Sequence, residues 1–158
     1  MSEELLPGYR LRVGLGCDRA LLVKFMQVTY QEIFPAVNDF AHLADTVRRY
    51  FSPETPLWFV EPNIDTEQRL TPIGCLWMGN GIDQIVGSRY THIFLLYVAP
   101  EHRRKGIGSA LMNQAQIWAK KRGDRQIGLH VFQENQPAVN LYRSLGYQTQ
   151  SLLMVKPL

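Results

Sequence analysis

Val98-Ala99-Pro100-Glu101-His102-Arg103-Arg104-Lys105-Gly106-Ile107-Gly108-Ser109 is the stretch on which the reading of this chain turns. An almost continuous apolar run, Thr91 to Val98, stops at Pro100, a basic turn follows, and two glycines open the next segment. The run has the pattern of a strand buried on both faces. From Gly106 to Arg122 the residues Ile107, Leu111, Ala115 and Trp118 recur at helical spacing, Gly123 stops the helix, and Lys120 to Arg122 complement the negative end of its dipole. The first-turn amides of such a helix have no internal partners and point outwards. Together with the dipole they favour an anion, and a glycine lets a phosphate approach the backbone. Arg103, Arg104 and Lys105 add positive charge at the same place, so a pyrophosphate-bearing ligand suits the turn. Two other phosphate motifs are excluded. A dinucleotide fingerprint needs Gly or Ala where Leu111 stands, and no Gly-Lys-Ser/Thr string is present. A solvated basic turn, with glycines serving geometry alone, stays open on this segment by itself.

Working outwards, Gln126 to Phe132 reads as a strand and Asn135 to Leu145 as a helix ended by Gly146. Asn135 is a preferred N-cap and Pro137 is tolerated in the first turn. Ala138, Leu141, Tyr142 and Leu145 make one stripe, and Tyr147 to Val155 reads as a last strand. Upstream, Tyr9 to Val13 alternates apolar residues with Arg and reads as the first strand. Asp18 is placed to cap a helix carrying Leu21, Leu22, Phe25 and Met26, which the stretch Tyr30 to Asn38 with Pro35 breaks. Asp39 starts a second helix with Phe40, Leu43, Ala44, Val47 and Tyr50 on one face. Leu57 to Val60 is a short strand and Glu61 to Thr71 a polar loop. Pro72 to Met78 is a strand closed by a turn at Gly79-Asn80-Gly81. The order β-α-α-β-β-β-α-β-α-β predicts an α/β chain (α+β, one mixed sheet with helices packed on it).

Composition sets the outer bounds. At 158 residues, 46% hydrophobic and 20% charged, the chain fits one soluble domain, residues 1–158, that needs no disulfide or metal staple. The charge is 17 basic minus 14 acidic groups, or +3, and the basic residues form no long run, which argues against a nucleic-acid partner. Cys17 and Cys75 lie far apart with no His cluster nearby, so a reduced cytoplasmic protein without a bound metal is expected. Met1-Ser2-Glu3-Glu4 lacks a signal-peptide pattern, and the run Ile93 to Pro100 is too short for a membrane span.

Two motifs read together narrow the function. Arg-x-x-Gly-x-Gly at Arg103, Gly106 and Gly108, followed by Asn-x-x-Ala-x-x-x-Tyr-x-x-x-Gly-Tyr from Asn135, resembles the GNAT acetyltransferase superfamily, and the element order is similar from Tyr9 to Val155. The resemblance implies a GNAT-like fold in which a splayed strand pair, Thr91–Val98 and Gln126–Phe132, holds acetyl-CoA as cosubstrate. It implies that pantetheine pairs with backbone at Leu96, Tyr97 and Val98. The pyrophosphate would rest on amides from Arg103 through Arg104, Lys105, Gly106, Ile107 and Gly108 to Ser109. Asn135 would contact the pantetheine arm and Tyr142 the thioester sulfur.

The implied reaction is direct attack of a primary amine on the acetyl carbonyl, with no acyl-enzyme. Tyr142 is expected to protonate the departing thiolate. Relatives carry a carboxylate five residues ahead of the asparagine, where this chain has His130, or at the start of the central strand, where it has His92. Both have a reference pKa near 6.5 and are candidates for the base, as is water; His130 is the choice carried forward. His102 in the turn is expected to be exposed. The walls of the acceptor site are expected at Tyr30 to Phe40 and Gly79 to Arg89, with Tyr30, Phe34, Trp58 and Trp77 as lining or core and Cys75 as a small buried hydrophobe. The acceptor is a small-molecule or peptide amine, and a homodimer is compatible with the reading. A catalytically silent CoA-binding or sensor domain of the same fold is the alternative.

Overall fold

The computed structural model describes residues 2–158. Six strands form one sheet in chain order: β1 (Ser2–Leu6), β2 (Tyr9–Val13), β3 (Leu57–Pro62), β4 (Gly74–Ile82), β5 (Arg89–Val98) and β6 (Ile127–Leu129). Neighbours are antiparallel except β5 and β6, which run parallel. Helices α1 (Arg19–Ile33), α2 (His42–Tyr50), α3 (Ile107–Arg122) and α4 (Gln136–Ser144) complete the chain. The mixed α/β sheet expected from the sequence is present.

Strand alternation divides the core in two. Phe59, Cys75, Trp77, Leu95 and Tyr97 face α1 and α2, where Leu22, Phe25, Met26, Leu43 and Val47 meet them. Val60, Leu76, Met78 and Ile93 point the other way and bury against Ile107, Leu111, Met112 and Ala115 of α3 and Tyr142 of α4. A strand such as Cys75-Leu76-Trp77-Met78, apolar at every position, therefore has a partner on both faces. Glycine bounds α3 at both ends, with φ of 83° at Gly106 and 94° at Gly123, a region that a side chain disfavours.

Five expectations need correction. Gly79-Asn80-Gly81 is not a turn: β4 continues to Ile82, and the hairpin closes at Asp83 to Ser88. The two glycines make room instead, since a Cβ on Gly79 would lie 2.1 Å from the Phe94 ring and one on Gly81 2.4 Å from the Tyr90 ring. Glu61 belongs to β3 rather than to a loop, and its buried carboxylate accepts from Arg10 and Arg12 of β2. Ser2–Leu6, with no apolar alternation to mark it, is a strand through pairing with β2. Asp18 sits at the N-cap of α1 but turns its carboxylate back to the Leu15 amide and the Arg12 guanidinium.

The fifth correction concerns the two last strands. Only Ile127–Leu129 of Gln126 to Phe132 pairs with β5, and Tyr147 to Val155 forms no strand. Apolar, β-branched composition reports propensity, whereas a strand exists only where a neighbour accepts its hydrogen bonds. Among the described residues no helix is long and apolar enough to cross a membrane.

Candidate active site

The basic turn between β5 and α3 has a backbone shaped by two left-handed residues, Arg104 at φ 63° and Gly106 at φ 83°, which bracket Lys105. Alternation of this kind turns successive amides towards one side, the geometry of an anion-binding concavity. The first intrahelical bond of α3 runs from the Ala110 amide to the Gly106 carbonyl at 3.0 Å. The amides of Ile107, Gly108 and Ser109 thus lie in the unpartnered first turn. A Cβ built on Gly106 meets nothing within 4 Å, so the backbone there is open to a ligand. Gly108 is different: its Cβ position lies 3.3 Å from Leu141 of α4 and 3.9 Å from Leu96 of β5, so this glycine lets three elements converge.

The three basic residues of the turn do not share one environment. All three are exposed, but Arg103 alone is tied down: it donates from its fork to both Glu32 carboxylate oxygens at 2.5 and 2.8 Å and from Nε to the Val98 carbonyl at 2.8 Å. The Arg103 partner holds the Glu32 carboxyl below its usual range. Arg103 thereby fastens the end of α1 to the end of β5, a role sequence spacing could not reveal because its partner is 71 residues away. His102, expected to be exposed, is half-buried, and its Nδ1 lies 2.8 Å from the Tyr9 hydroxyl.

Next to the turn the sheet opens. β5 and β6 pair from Thr91↔Ile127 to Ile93↔Leu129 and no further. In register with β4, Trp77 opposes Leu95 and Met78 opposes Ile93, so Phe94 is an extra, bulged residue. A bulge bends its strand and ends regular pairing, which is what a splayed pair requires. Beyond it the β6-facing edge of Leu96, Tyr97 and Val98 has no strand beside it.

Both candidate histidines stand at the root of this opening, their rings 5.1 Å apart. His92 is 8% exposed, and burial, with a smaller contribution from His130, pushes its pKa down to about 4. It is neutral and weakly basic at pH 7. His130, one residue past β6, is exposed. Tyr142 from α4 is 9% exposed and lies among Ile107, Leu111 and Leu76, its ring 5.8 Å from that of Tyr147. Burial, with Tyr147 adding to it, raises its pKa to about 12, so its proton is retained. Asn135 caps α4, its side-chain oxygen accepting from the Ala138 amide at 3.4 Å, which leaves its NH2 group free to donate.

On the α1–α2 side an open depression of about 630 Å3 is lined by Gln27, Gln31, Glu32, Asp39 and Phe40. Nearby, Phe132 stands edge-on to Tyr30 and Phe34, with ring centroids 5.6 and 4.8 Å apart, bringing the end of α1 to the segment after β6. Of the aromatic residues considered as walls, Trp77 is fully buried and Trp58 packs in the α3 core. Cys75 is buried as expected, which pushes its thiol pKa up.

The left-handed turn at Arg104 and Gly106 thus opens α3 beside the unpaired end of β5, with Tyr142 of α4 buried against the same helix. The profile of the acetyltransferase (GNAT) family matches residues 23–147. The chain belongs to the GNAT acetyltransferase family. An uncharacterized N-acetyltransferase of Methanocaldococcus jannaschii is 37% identical over 79 residues, half of this GNAT chain but only 33% of that protein's own length. An N-alpha-acetyltransferase of Sulfurisphaera tokodaii is 26% identical over 151 residues, 92% of this chain and 83% of that one. Among solved structures, a predicted acetyltransferase from Clostridium acetobutylicum, determined with acetyl-CoA, superposes with a TM-score of 0.71 over 94% of this chain and 96% of its own at 19% identity, which speaks to the shared GNAT fold.

Proposed function

We propose that residues 1–158 act as a single-domain N-acetyltransferase that moves the acetyl group of acetyl-CoA to a primary amine. The observation that carries this is the turn with left-handed Arg104 and Gly106 opening beside the unpaired β5 edge, with a proton-retaining Tyr142 buried against the start of α3. The donor fits the residues present. The amides of Ile107, Gly108 and Ser109 would take the pyrophosphate, with Arg104 and Lys105 adding charge. The freed backbone of Leu96, Tyr97 and Val98 would pair with the pantetheine amides, and the Asn135 NH2 group would donate to the same arm. Gly106 keeps a side chain out of that path, and Gly108 lets α3 pack close to α4 and β5 beside it. Arg103 contributes by anchoring the turn through Val98 and Glu32. A sulfur-linked acyl group brings an activated carbonyl and a leaving thiolate.

Two groups of this chain manage protons. His130 accepts one from the incoming ammonium, since a lysine-like amine with pKa about 10.4 is mostly protonated at neutral pH. Tyr142 donates its hydroxyl proton or a hydrogen bond to the thiolate as the amine attacks directly. Holding both reactants in the splay makes their encounter effectively unimolecular. The acceptor, a small molecule or a peptide amine, enters from the α1–α2 side, where Asp39 favours a cation. The free thiols Cys17 and Cys75 suit the reducing cytoplasm.

Release of free thiol from acetyl-CoA, followed over a panel of amines, peptide N-termini and aminoglycosides, tests the reading. Turnover with any amine supports it. Calorimetric binding of acetyl-CoA without turnover on a broad panel favours the silent coenzyme-binding domain. Neither heat nor thermal shift at millimolar acetyl-CoA overturns both.

A further inference from the structure

Three glycines clear one patch of the sheet. Gly79 and Gly81 of β4 and Gly128 of β6 flank β5 on the α1–α2 face, the face to which Phe94 belongs. A Cβ on Gly79 would lie 2.1 Å from the Phe94 ring, and one on Gly81 would lie 2.4 Å from the Tyr90 ring. One on Gly128 would lie 2.9 Å from Cε2 of that same Tyr90 ring, whose Cε1 faces Gly81. Tyr90 therefore reaches over both neighbouring strands at once, so its ring lies along the sheet with one face turned outwards. Glycine weakens a strand interior and marks a place where another group must approach the backbone closely. Here the group is a ring laid flat.

The floor continues from these rings towards the proposed base. The His92 ring is 6.0 Å from Tyr90 and 4.9 Å from Phe94, and its Nδ1 is 3.5 Å from the Tyr90 hydroxyl. Tyr50, the last residue of α2, borders the floor with its ring 5.3 Å from Phe94 and is 48% exposed. At the other side the His130 ring lies 5.1 Å from that of His92. Burial keeps His92 neutral at pH 7, so it adds no charge to the floor. The carboxylates of the adjoining segments are engaged elsewhere: Asp45 with Arg48, Asp83 with the Ile85 amide, and Asp124 with Arg122.

We infer that the acceptor is an arylalkylamine, a single primary amine joined by a short chain to one aromatic ring that stacks on Tyr90, Phe94 and Tyr50 while the amine reaches His130. This rests on the acetyl-transfer reading and names the acceptor class of that same site. Aromatic faces attract a further ring in offset or edge-on contact, and their quadrupole also favours one ammonium. A polycation needs several carboxylates, and this floor offers none. In the transfer the amine nitrogen bonds to the acetyl carbon as the C–S bond breaks. Of the two protons the ammonium loses, one leaves through His130 and the other restores Tyr142 after it protonates the thiolate.

Rates of thiol release from acetyl-CoA with 2-phenylethylamine, n-hexylamine, spermidine and a short peptide with a free N-terminus test the inference. Hexylamine is of similar length and apolar but has no ring. The expected kcat/KM for 2-phenylethylamine is about tenfold above that for hexylamine, and above those for spermidine and the peptide. Phe94→Leu and Tyr50→Leu keep an apolar side chain and remove a ring. Each is expected to raise KM for 2-phenylethylamine several-fold, to leave KM for acetyl-CoA unchanged, and to narrow the preference over hexylamine. Tyr50 stands at an exposed helix end, so its variant folds even where Phe94→Leu does not. Calorimetry of both amines on the CoA-loaded chain reads the same preference without turnover. Equal kcat/KM for the two amines, a preference untouched by Tyr50→Leu, or faster turnover of spermidine or the peptide overturns the inference and leaves acetyl transfer standing. Preferential binding of 2-phenylethylamine with no turnover supports the aromatic floor and counts against transfer. Neither heat nor turnover with any of the amines overturns both.

Discussion

The two sides of β5 use the same backbone for opposite ends. Towards β4 the strand pairs along its length, from Gly74↔Val98 to Ile82↔Arg89, with only the Phe94 bulge interrupting. Towards β6 it pairs at Thr91 to Ile93 and then stands alone. Peptide groups committed to a ladder have no capacity left for a ligand, whereas those past Ile93 do. The closed side gives rigidity, and the open side leaves an unpaired edge held in place by it, the edge proposed to bind pantetheine. Glycine shows the same division: Gly79 and Gly81 are needed because aromatic rings fill the space above them, whereas Gly106 has open space around it and is suited by its positive φ.

The largest effect is expected on the open side. Tyr142→Phe keeps the buried ring and removes only the hydroxyl, so kcat with a verified acceptor should fall about a hundredfold to ten-thousandfold, with acetyl-CoA affinity nearly unchanged. Unchanged turnover with chemistry limiting would make Tyr142 a core residue and nothing more. Second is an acid effect at the root of the opening, where His92 faces Tyr90, Phe94 and His130. Its pKa is about 4 in the fold against 6.5 unperturbed, so the unfolded chain binds the extra proton between those values. Stability from this group is therefore intact above about pH 6.5 and is lost as pH falls towards 4, by on the order of 3 kcal/mol. Urea titrations at pH 7 and pH 4.5 should show a smaller loss for His92→Gln than for the native chain; equal losses would remove His92 as the cause.

How much of this could be read beforehand follows the range of the interactions. The ends of α3 at Gly106 and Gly123, the cap at Asn135 and the stop at Gly146 are local, set by φ and by orphan amides, and the sequence displays them. The β5 run is equally plain because burial on both faces leaves an apolar string. What stayed hidden depends on distant partners. Gly79 and Gly81 look like a turn until Phe94 and Tyr90 are seen to occupy their Cβ space. The sequence shows Arg103 only as part of a basic turn, and the pairing of its fork with Glu32 depends on a partner 71 residues away. His92 and His130 are indistinguishable in the sequence, and only burial separates a weak base from an accessible one.

Two glycine substitutions set the sides of β5 against each other. Gly106→Val places a β-branched residue at φ 83° beside the proposed phosphate position, a strain on the order of 1–3 kcal/mol. Acetyl-CoA affinity should weaken about tenfold or more, and a variant that binds as tightly as the parent would disprove that position. Gly79→Ala drives a methyl into the Phe94 ring and should cost about 1–3 kcal/mol of stability through overpacking. Its Kd for acetyl-CoA should stay within a few-fold below the melting transition. If Gly79→Ala weakened the coenzyme as much as Gly106→Val, the closed and open sides would not be separable.

The smallest effect is the most discriminating for the turn. Arg103 and Glu32 form a bidentate pair, but both side chains are substantially exposed, 39% and 50%, and such pairs contribute about 0–1 kcal/mol. Glu32→Gln should therefore shift Tm by only a few degrees. Its effect on acetyl-CoA depends on where the Arg103 fork rests when the coenzyme binds. If Arg103 stays on Val98 and position 32, its charge is already spent on anchoring, and Kd should remain within about twofold. If the fork leaves Glu32 for the pyrophosphate, the native chain must break an ion pair on binding, and Glu32→Gln, which weakens that pair, should bind more tightly. Salt separates the two cases further, because a second mobile guanidinium on the phosphate makes affinity steeper in ionic strength. The expected outcome is the first: an unchanged Kd and an unchanged salt dependence, with Arg104 and Lys105 supplying the charge the ligand meets.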